Sequence, residues 1–374
     1  MSLFADTTYE GARSILGPFL RDLGANAFHV GLIAGLGEMF AASLRLFSGR
    51  FADRTRAYWA ITIFGYTVNL IAVPALAFVG SWQIAALLVI LERTGKSLRG
   101  PARDVLLSHA TSVVGHGWGF GLHAAFDQAG AVLGPLFVAA AVARTNHFGP
   151  AFLWLAIPAL AALAALLVAR SMHPTQGAIE PAQIRQPLPN VFWIYVAAAG
   201  LLACGVVDFP LLAYHFQNAE LVRPATIPLL YAGAMAINGV AALLFGMLFD
   251  RHGILVLSLG IVVSLFALPL GFLGGPTSII ASVVCWGAGM GAQDACLRSG
   301  ISKIVSMNKR GAAFGAFSAV YGVMWFVGSA TMGILYDHSV TALVTFGMVV
   351  QLAAAAMFLW LRKKTFQNSK SSEN

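Results

Sequence analysis

The sequence predicts an all-α membrane protein of twelve spanning helices, organised as two six-helix bundles. Three observations carry this. First, 58% of the 374 residues are apolar and only 10% are charged, against about 25% charged in soluble domains; the mean hydropathy is +0.77. So little charge cannot solvate so much hydrocarbon, which excludes a cytosolic enzyme, a secreted disulfide scaffold and a nucleic-acid binder. Second, twelve stretches approach the ~20 mostly apolar residues that a spanning helix needs. Third, the two halves of the chain repeat each other's motifs.

In order, the stretches cover 2–20, 27–48, 58–79, 82–107, 117–143, 150–170, 190–216, 227–248, 254–273, 277–303, 312–335 and 340–361. Most links are short, such as Gly80-Ser81 and Gly274-Gly275-Pro276, so neighbours run antiparallel. The longest link, 171–189, is polar and proline-rich and divides an N-terminal bundle (1–170) from a C-terminal one (190–362). A polar tail, 363–374, follows. Asp6 comes five residues after Met1, so the first helix is short at its N-terminus or the start lies upstream. No basic segment precedes an apolar one there, as a signal peptide requires.

With both ends inside, fifteen Lys and Arg fall on the cytoplasmic side, and only Arg21, Arg144 and Arg223 fall outside. Positive residues collect in the cytoplasm, so both termini are expected there, in the cell membrane. The 39 glycines suit packed membrane helices. Cys204, Cys285 and Cys296 form no CxxC pair, and no metal or cofactor is expected.

The repeat is specific. Gly49, Asp53 and Arg54 make a G-x-x-x-D-R loop after the second span; Gly246, Asp250 and Arg251 make the same loop after the eighth. Gly121 precedes Gly134-Pro135 by thirteen residues, as Gly315 precedes Gly328. Internal repeats of this kind mark secondary transporters, whose substrates bind between the halves. On these residues the chain resembles the major facilitator superfamily. The 49–56 segment is similar to that family's G-x-x-x-D-R-x-G-R loop, with Arg56 in place of a glycine that the second copy keeps as Gly253. Gly121, Gly130, Gly134 and Pro135 resemble the family's span-5 antiporter motif, with Val138 in place of its last glycine. The stretches TTYEGARSILGPFL, LERTGKSLRGPARD and DFPLLAYHFQ resemble a bacterial subgroup of these permeases. The resemblance implies proton-coupled export by alternating access, a single working chain, and a central cavity lined by spans 1, 4, 7 and 10.

Twelve charges lie at membrane depth: Asp6, Glu10, Glu38, Glu92, Asp127, Asp208, Asp294, Arg13, Arg45, Arg93, Lys96 and Arg298. Facing lipid, each would cost ~2.5–3.5 kcal/mol, roughly 30 kcal/mol in all, several times the stability of a domain. They must meet water or one another. Asp6, Glu10 and Arg13 share one helical face, as do Glu92, Lys96, Arg99 and Arg103. His123 and Asp127, Asp208 and His215, and Asp294 and Arg298 form further stripes.

Asp6 and Glu10, one turn apart, resist double ionisation, and Asp208 lies in an apolar run with no base on its own helix. These three are the expected proton carriers. Arg13 has a competing role, holding Glu10 ionised. Glu92 with Lys96 and Asp294 with Arg298 either serve transport or close intrahelical ion pairs. Arg93 and Lys96 are expected to attract an anion or a carboxylate from the opposite half. His123 with Asp127 makes at most half a metal site, and His215 is an interfacial histidine or a cavity group. Asp53 and Asp250 are expected to gate the cytoplasmic face by capping a helix or pairing with an arginine. No GxSxG, HExxH or Walker loop appears, so no enzyme is expected. The expected function is proton-coupled export of a small solute; uptake by symport and a non-transporting membrane sensor are the alternatives.

Overall fold

The computed structural model describes residues 1–111, 116–172, 188–306 and 309–371. The linker's 173–187 and the last three residues of the tail lie outside the described residues. Among the described residues all regular structure is helical, and each of the twelve predicted stretches is largely helix. The helices are α1 (Ser2–Asp22), α2 (Ala27–Thr55), α3 (Tyr58–Ala75), α4 (Trp82–Thr111), α5 (His116–Thr145), α6 (Gly149–Trp154), α7 (Ala156–Met172) and α8 (Asn190–Gly205). They continue with α9 (Phe209–Asn218), α10 (Thr226–His252), α11 (Ile254–Leu265), α12 (Ala267–Phe272), α13 (Pro276–Ile304), α14 (Arg310–His338) and α15 (Val340–Ser371).

Among the described residues ten helical segments are long and apolar enough to cross a membrane; α1 and α4 are not among them. Both are long enough, so charge is the reason: α1 carries Asp6, Glu10 and Arg13, and α4 carries Glu92, Arg93, Lys96, Arg99 and Arg103.

The seventh stretch is not one rod. Its helix stops at Gly205 and restarts at Phe209. Pro210 explains the break: its ring collides with the carbonyl four residues back, and it has no N–H to offer it. The freed backbone is not left bare. Gln351 Nε2 donates to the Gly205 carbonyl at 2.9 Å and Trp286 Nε1 donates to the Val207 carbonyl at 2.9 Å. Non-helical backbone at membrane depth requires this kind of internal satisfaction.

The chain forms two compact units. The first holds the helices α1–α7 together with Phe209–Ala232; the second holds α8, up to Asp208, and Gly233 onward. The compact units therefore divide the seventh stretch at its break, whereas the sequence boundary at 171–189 keeps it whole.

In the first unit α1 packs on α5 and α9, and α4 on α2 and α3. Close approach relies on missing side chains. A Cβ on Gly95 would lie 2.6 Å from the Asn69 nitrogen, and one on Gly134 would collide with the Thr7 carbonyl. In the second unit α8 packs on α14 and α15 over a core that includes Phe192, Tyr195, Leu202 and Phe358. Gly328 of α14 closes on Cys204 of α8 as Gly134 of α5 closes on α1. The glycine echo in the sequence is thus an echo in packing.

Candidate functional site

The first unit gathers most of the charges that the sequence singles out. The i, i+4, i+7 spacing turns Asp6, Glu10 and Arg13 to one face of α1. Arg13 Nη1 lies 3.2 Å from Glu38 Oε1 of α2, and Arg93 Nη1 of α4 lies 3.4 Å from the same oxygen. Arg93 Nε reaches Glu92 Oε2 at 3.1 Å. Asn69 Nδ2 of α3 donates to Glu92 Oε1 at 2.7 Å and to the Glu92 carbonyl at 3.1 Å. Opposite charges therefore alternate along Arg13, Glu38, Arg93 and Glu92, and an amide caps the end. Pairing removes most of the cost of charge at this depth.

A second branch starts at Glu10. The Tyr231 hydroxyl donates to Glu10 Oε2 at 2.6 Å, and Lys96 Nζ lies 4.0 Å from Glu10 Oε1. Lys96 Nζ also sits 3.6 Å above the Tyr9 ring. Arg99, 2% exposed, stacks 3.8 Å above Tyr66 and lies 6.0 Å from Tyr9.

These contacts change two expectations. Arg13 pairs with Glu38 rather than Glu10. Glu92 and Lys96 close no intrahelical pair, because Glu92 is taken by Arg93 and Asn69 while Lys96 reaches across to α1.

Asp6 is 4% exposed and faces Asp127 of α5. Gly130, one turn below Gly134, makes room for it: a Cβ there would lie 2.8 Å from the Asp6 Cβ. Asp127 Oδ2 is 3.5 Å from His123 Nε2, and Asp127 Oδ1 is buried without a hydrogen-bond donor. Among the described residues no three metal-ligating side chains converge. His215 is buried on α9. Gly121 has nothing within 4 Å of a Cβ position, so it takes no part in the tight α1–α5 contact, while Pro135 is buried.

In the second unit Asp208 sits in the break before α9, not inside a continuous helix; it is 3% exposed and accepts from Trp325 Nε1 at 3.3 Å. Phe317, Tyr321 and Trp325 form a ladder with ring centroids 5.4 and 5.8 Å apart. The Tyr321 hydroxyl donates to Gln293 Oε1 at 2.9 Å. Asp294 accepts from Asn238 Nδ2 at 3.0 Å and makes no ion pair with the exposed Arg298.

At the two G-x-x-x-D-R loops, Asp53 accepts from the Tyr58 hydroxyl at 3.3 Å, and Arg54, Asp250 and Arg251 are exposed. Neither aspartate reaches an arginine at ion-pair distance among the described residues. Gly49 and Gly246 face Pro101 and Ala295, at 3.6 and 3.7 Å from a Cβ position. The position where the copies differ is instructive: Arg56 has φ 54° and ψ 17°, and Gly253 has φ 64° and ψ −142°. Both copies need positive φ. The first lies in the left-handed helical well that an L-residue can occupy at a cost; the second lies where glycine is nearly obligatory.

Sequence reasoning missed the uncharged partners Tyr9, Tyr66, Asn69, Asn238 and Tyr231. Tyr66 and Asn69 are three apart on one face of α3, the only trace of their role in the sequence.

Residues 1–329 match the family model of the Major Facilitator Superfamily. The chain is 40% identical over 372 residues to the uncharacterized protein Rv2265 of Mycobacterium tuberculosis, covering 97% of this chain and 91% of that one. It is 24% identical over 374 residues to the uncharacterized MFS-type transporter MJ1317 of Methanocaldococcus jannaschii, covering 96% and 92%. Its fold is similar to that of the peptide transporter POT solved in complex with sulfate, with TM-score 0.78, 14% identity and coverage of 98% and 93%. The chain belongs to the Major Facilitator Superfamily, a family of membrane transporters rather than enzymes.

Proposed function

We propose that this chain is a proton-coupled secondary transporter that works by alternating access and exports a small solute in exchange for protons. One observation supports the coupling above the others: the buried Asp6 faces Asp127, whose side chain is half-buried and whose Oδ1 is shielded without a donor. Two carboxyl groups so placed cannot both ionise cheaply, and a proton held between them supplies the missing donor. Glu10 is already engaged, by Lys96 at 4.0 Å and by the Tyr231 hydroxyl at 2.6 Å. Asp208 with Trp325 is the matching carboxyl of the second unit.

In this reading α1 and α4 also cross the membrane, giving twelve spans. Their charges cross as the paired network described above. Both termini face the cytoplasm of a bacterial cell, and one chain suffices. Export rests on the span-5 glycines, of which Gly130 and Gly134 seat α5 against α1. Uptake by symport is favoured by a different observation: among the described residues the buried Arg99 has no carboxylate within 4.0 Å, and an anion bound there would travel with a proton.

The test is flux in proteoliposomes under an imposed pH gradient. The proposal expects gradient-driven flux that Asp6→Asn and Asp127→Asn each abolish, and the sign of the gradient that drives accumulation separates export from uptake. Flux indifferent to the gradient refutes the coupling.

A further inference from the structure

We infer that the transported solute is a small anion presenting a carboxylate or phosphate group, held by Arg99 and Lys96 beside Tyr9. The inference rests on the reading of this chain as a transporter. Four bases lie close together in the first unit, and three have a carboxylate: Arg13 and Arg93 share Glu38, Arg93 also takes Glu92, and Lys96 approaches Glu10. Arg99 has none within 4.0 Å among the described residues, although its side chain is 2% exposed.

What Arg99 has instead is an aromatic face, 3.8 Å below its guanidinium. Its Nε is buried without a hydrogen-bond partner, and so is the Tyr66 hydroxyl of the ring beneath it. Guanidinium engages oxyacids through paired N–H groups along one edge, and Nε supplies half of one such pair. A buried cation left unpaired is costly, and a buried donor left empty adds to the cost. An oxyanion removes both.

Lys96 stands one turn earlier on α4. Its ammonium rests on Tyr9 at 3.6 Å, and its contact with Glu10, at 4.0 Å, is the longest ion pair of the network. Tyr9 thus lies between two cations of which one is unpaired and the other loosely held, which suits an anion with a flat apolar body.

The experiment uses the purified full chain in detergent. Its thermal midpoint is measured against benzoate, succinate and inorganic phosphate at constant ionic strength, with benzamide and succinamide as uncharged counterparts. At least one anion is expected to raise the midpoint where its neutral counterpart does not, and the phosphate arm separates the two oxyacid classes. Arg99→Gln is expected to weaken that anion's apparent affinity at least tenfold. Without ligand, Arg99→Met is expected to hold or raise the midpoint, because it deletes a charge with no partner.

Equal stabilisation by neutral counterparts, no stabilisation by any anion, or full binding by Arg99→Gln overturns the inference. So does a lower midpoint for ligand-free Arg99→Met, which would make Arg99 a structural cation stacked on Tyr66. Anion binding without any flux would count against transport and leave only the anion site at Arg99 and Lys96 standing; flux confined to neutral or cationic solutes would uphold transport and overturn the inference.

Discussion

Glu92→Gln tests whether the charge network is a stabilising structure or a set of incidental contacts. The substitution keeps an acceptor for Asn69 and removes the charge that faces Arg93 Nε at 3.1 Å. Removing one partner of a buried pair costs about 3–5 kcal/mol, mainly because the other charge is stranded. Arg93 is only half stranded: it retains Glu38 at 3.4 Å, an oxygen that Arg13 also uses at 3.2 Å. The expected cost is therefore about 2 kcal/mol. Arg93→Gln should cost a similar amount, since it strands Glu92 but leaves Glu38 with Arg13. Because both changes remove the same interaction, the double variant should fall short of the sum by about 1.5–2 kcal/mol. Unfolding of the purified protein in mixed detergent–SDS micelles measures all three. Single costs under about 0.5 kcal/mol, the range of exposed pairs, would refute the buried-network account. Additivity within about 0.5 kcal/mol would refute the direct Glu92–Arg93 coupling.

The backbone at the two loop motifs gives a reciprocal pair. Arg56→Gly should stabilise by about 0.5–1 kcal/mol, the left-handed penalty less the entropy that glycine adds to the unfolded chain, and Gly253→Ala should destabilise by about 1–3 kcal/mol; the same unfolding assay reads both. Gly134→Leu should cost about 1–3 kcal/mol by forcing α1 from α5, whereas Gly121→Leu, with open space around it, should be tolerated in folding yield and thermal midpoint. Trp286→Phe leaves the Val207 carbonyl of the α8–α9 break without its donor, and a loss of about 1–3 kcal/mol is expected in the same measurement.

Much of the fold was legible because hydropathy and glycine position are local properties of the chain. The twelve stretches are largely helical, and the Gly134 and Gly328 echo marks equivalent helix contacts. α1 and α4 were legible too, by period rather than hydropathy: charges at i, i+4 and i+7 announce one polar face even where the average is unremarkable.

The break at Asp208 was written in the sequence as Pro210, four residues after Val206, yet the apolar run hid it. It moves Asp208 from the middle of a helix to a buried joint held by side chains of the second unit, and it gives Phe209–Ala232 to the first compact unit. Partner choice was not legible. Spacing offers Lys96 to Glu92 and Arg13 to Glu10, but tertiary packing sends each to another helix, because distances between helices are absent from a linear pattern. Uncharged partners were the least visible. Tyr9, Tyr66, Asn69 and Tyr231 look like ordinary interior residues until the cations and carboxylates they contact are placed beside them.

The central claim is that a carboxyl pair inside the first unit carries the transported proton, and solute counterflow measured beside gradient-driven accumulation tests it most directly. In proteoliposomes, Asp6→Asn should abolish accumulation under a pH gradient while leaving exchange of labelled for unlabelled solute running, because exchange needs the solute site but no proton cycle. If Asp6→Asn, alone and with Asp127→Asn, accumulates solute as the unmodified chain does, the proton travels by another route and the account of this site is wrong.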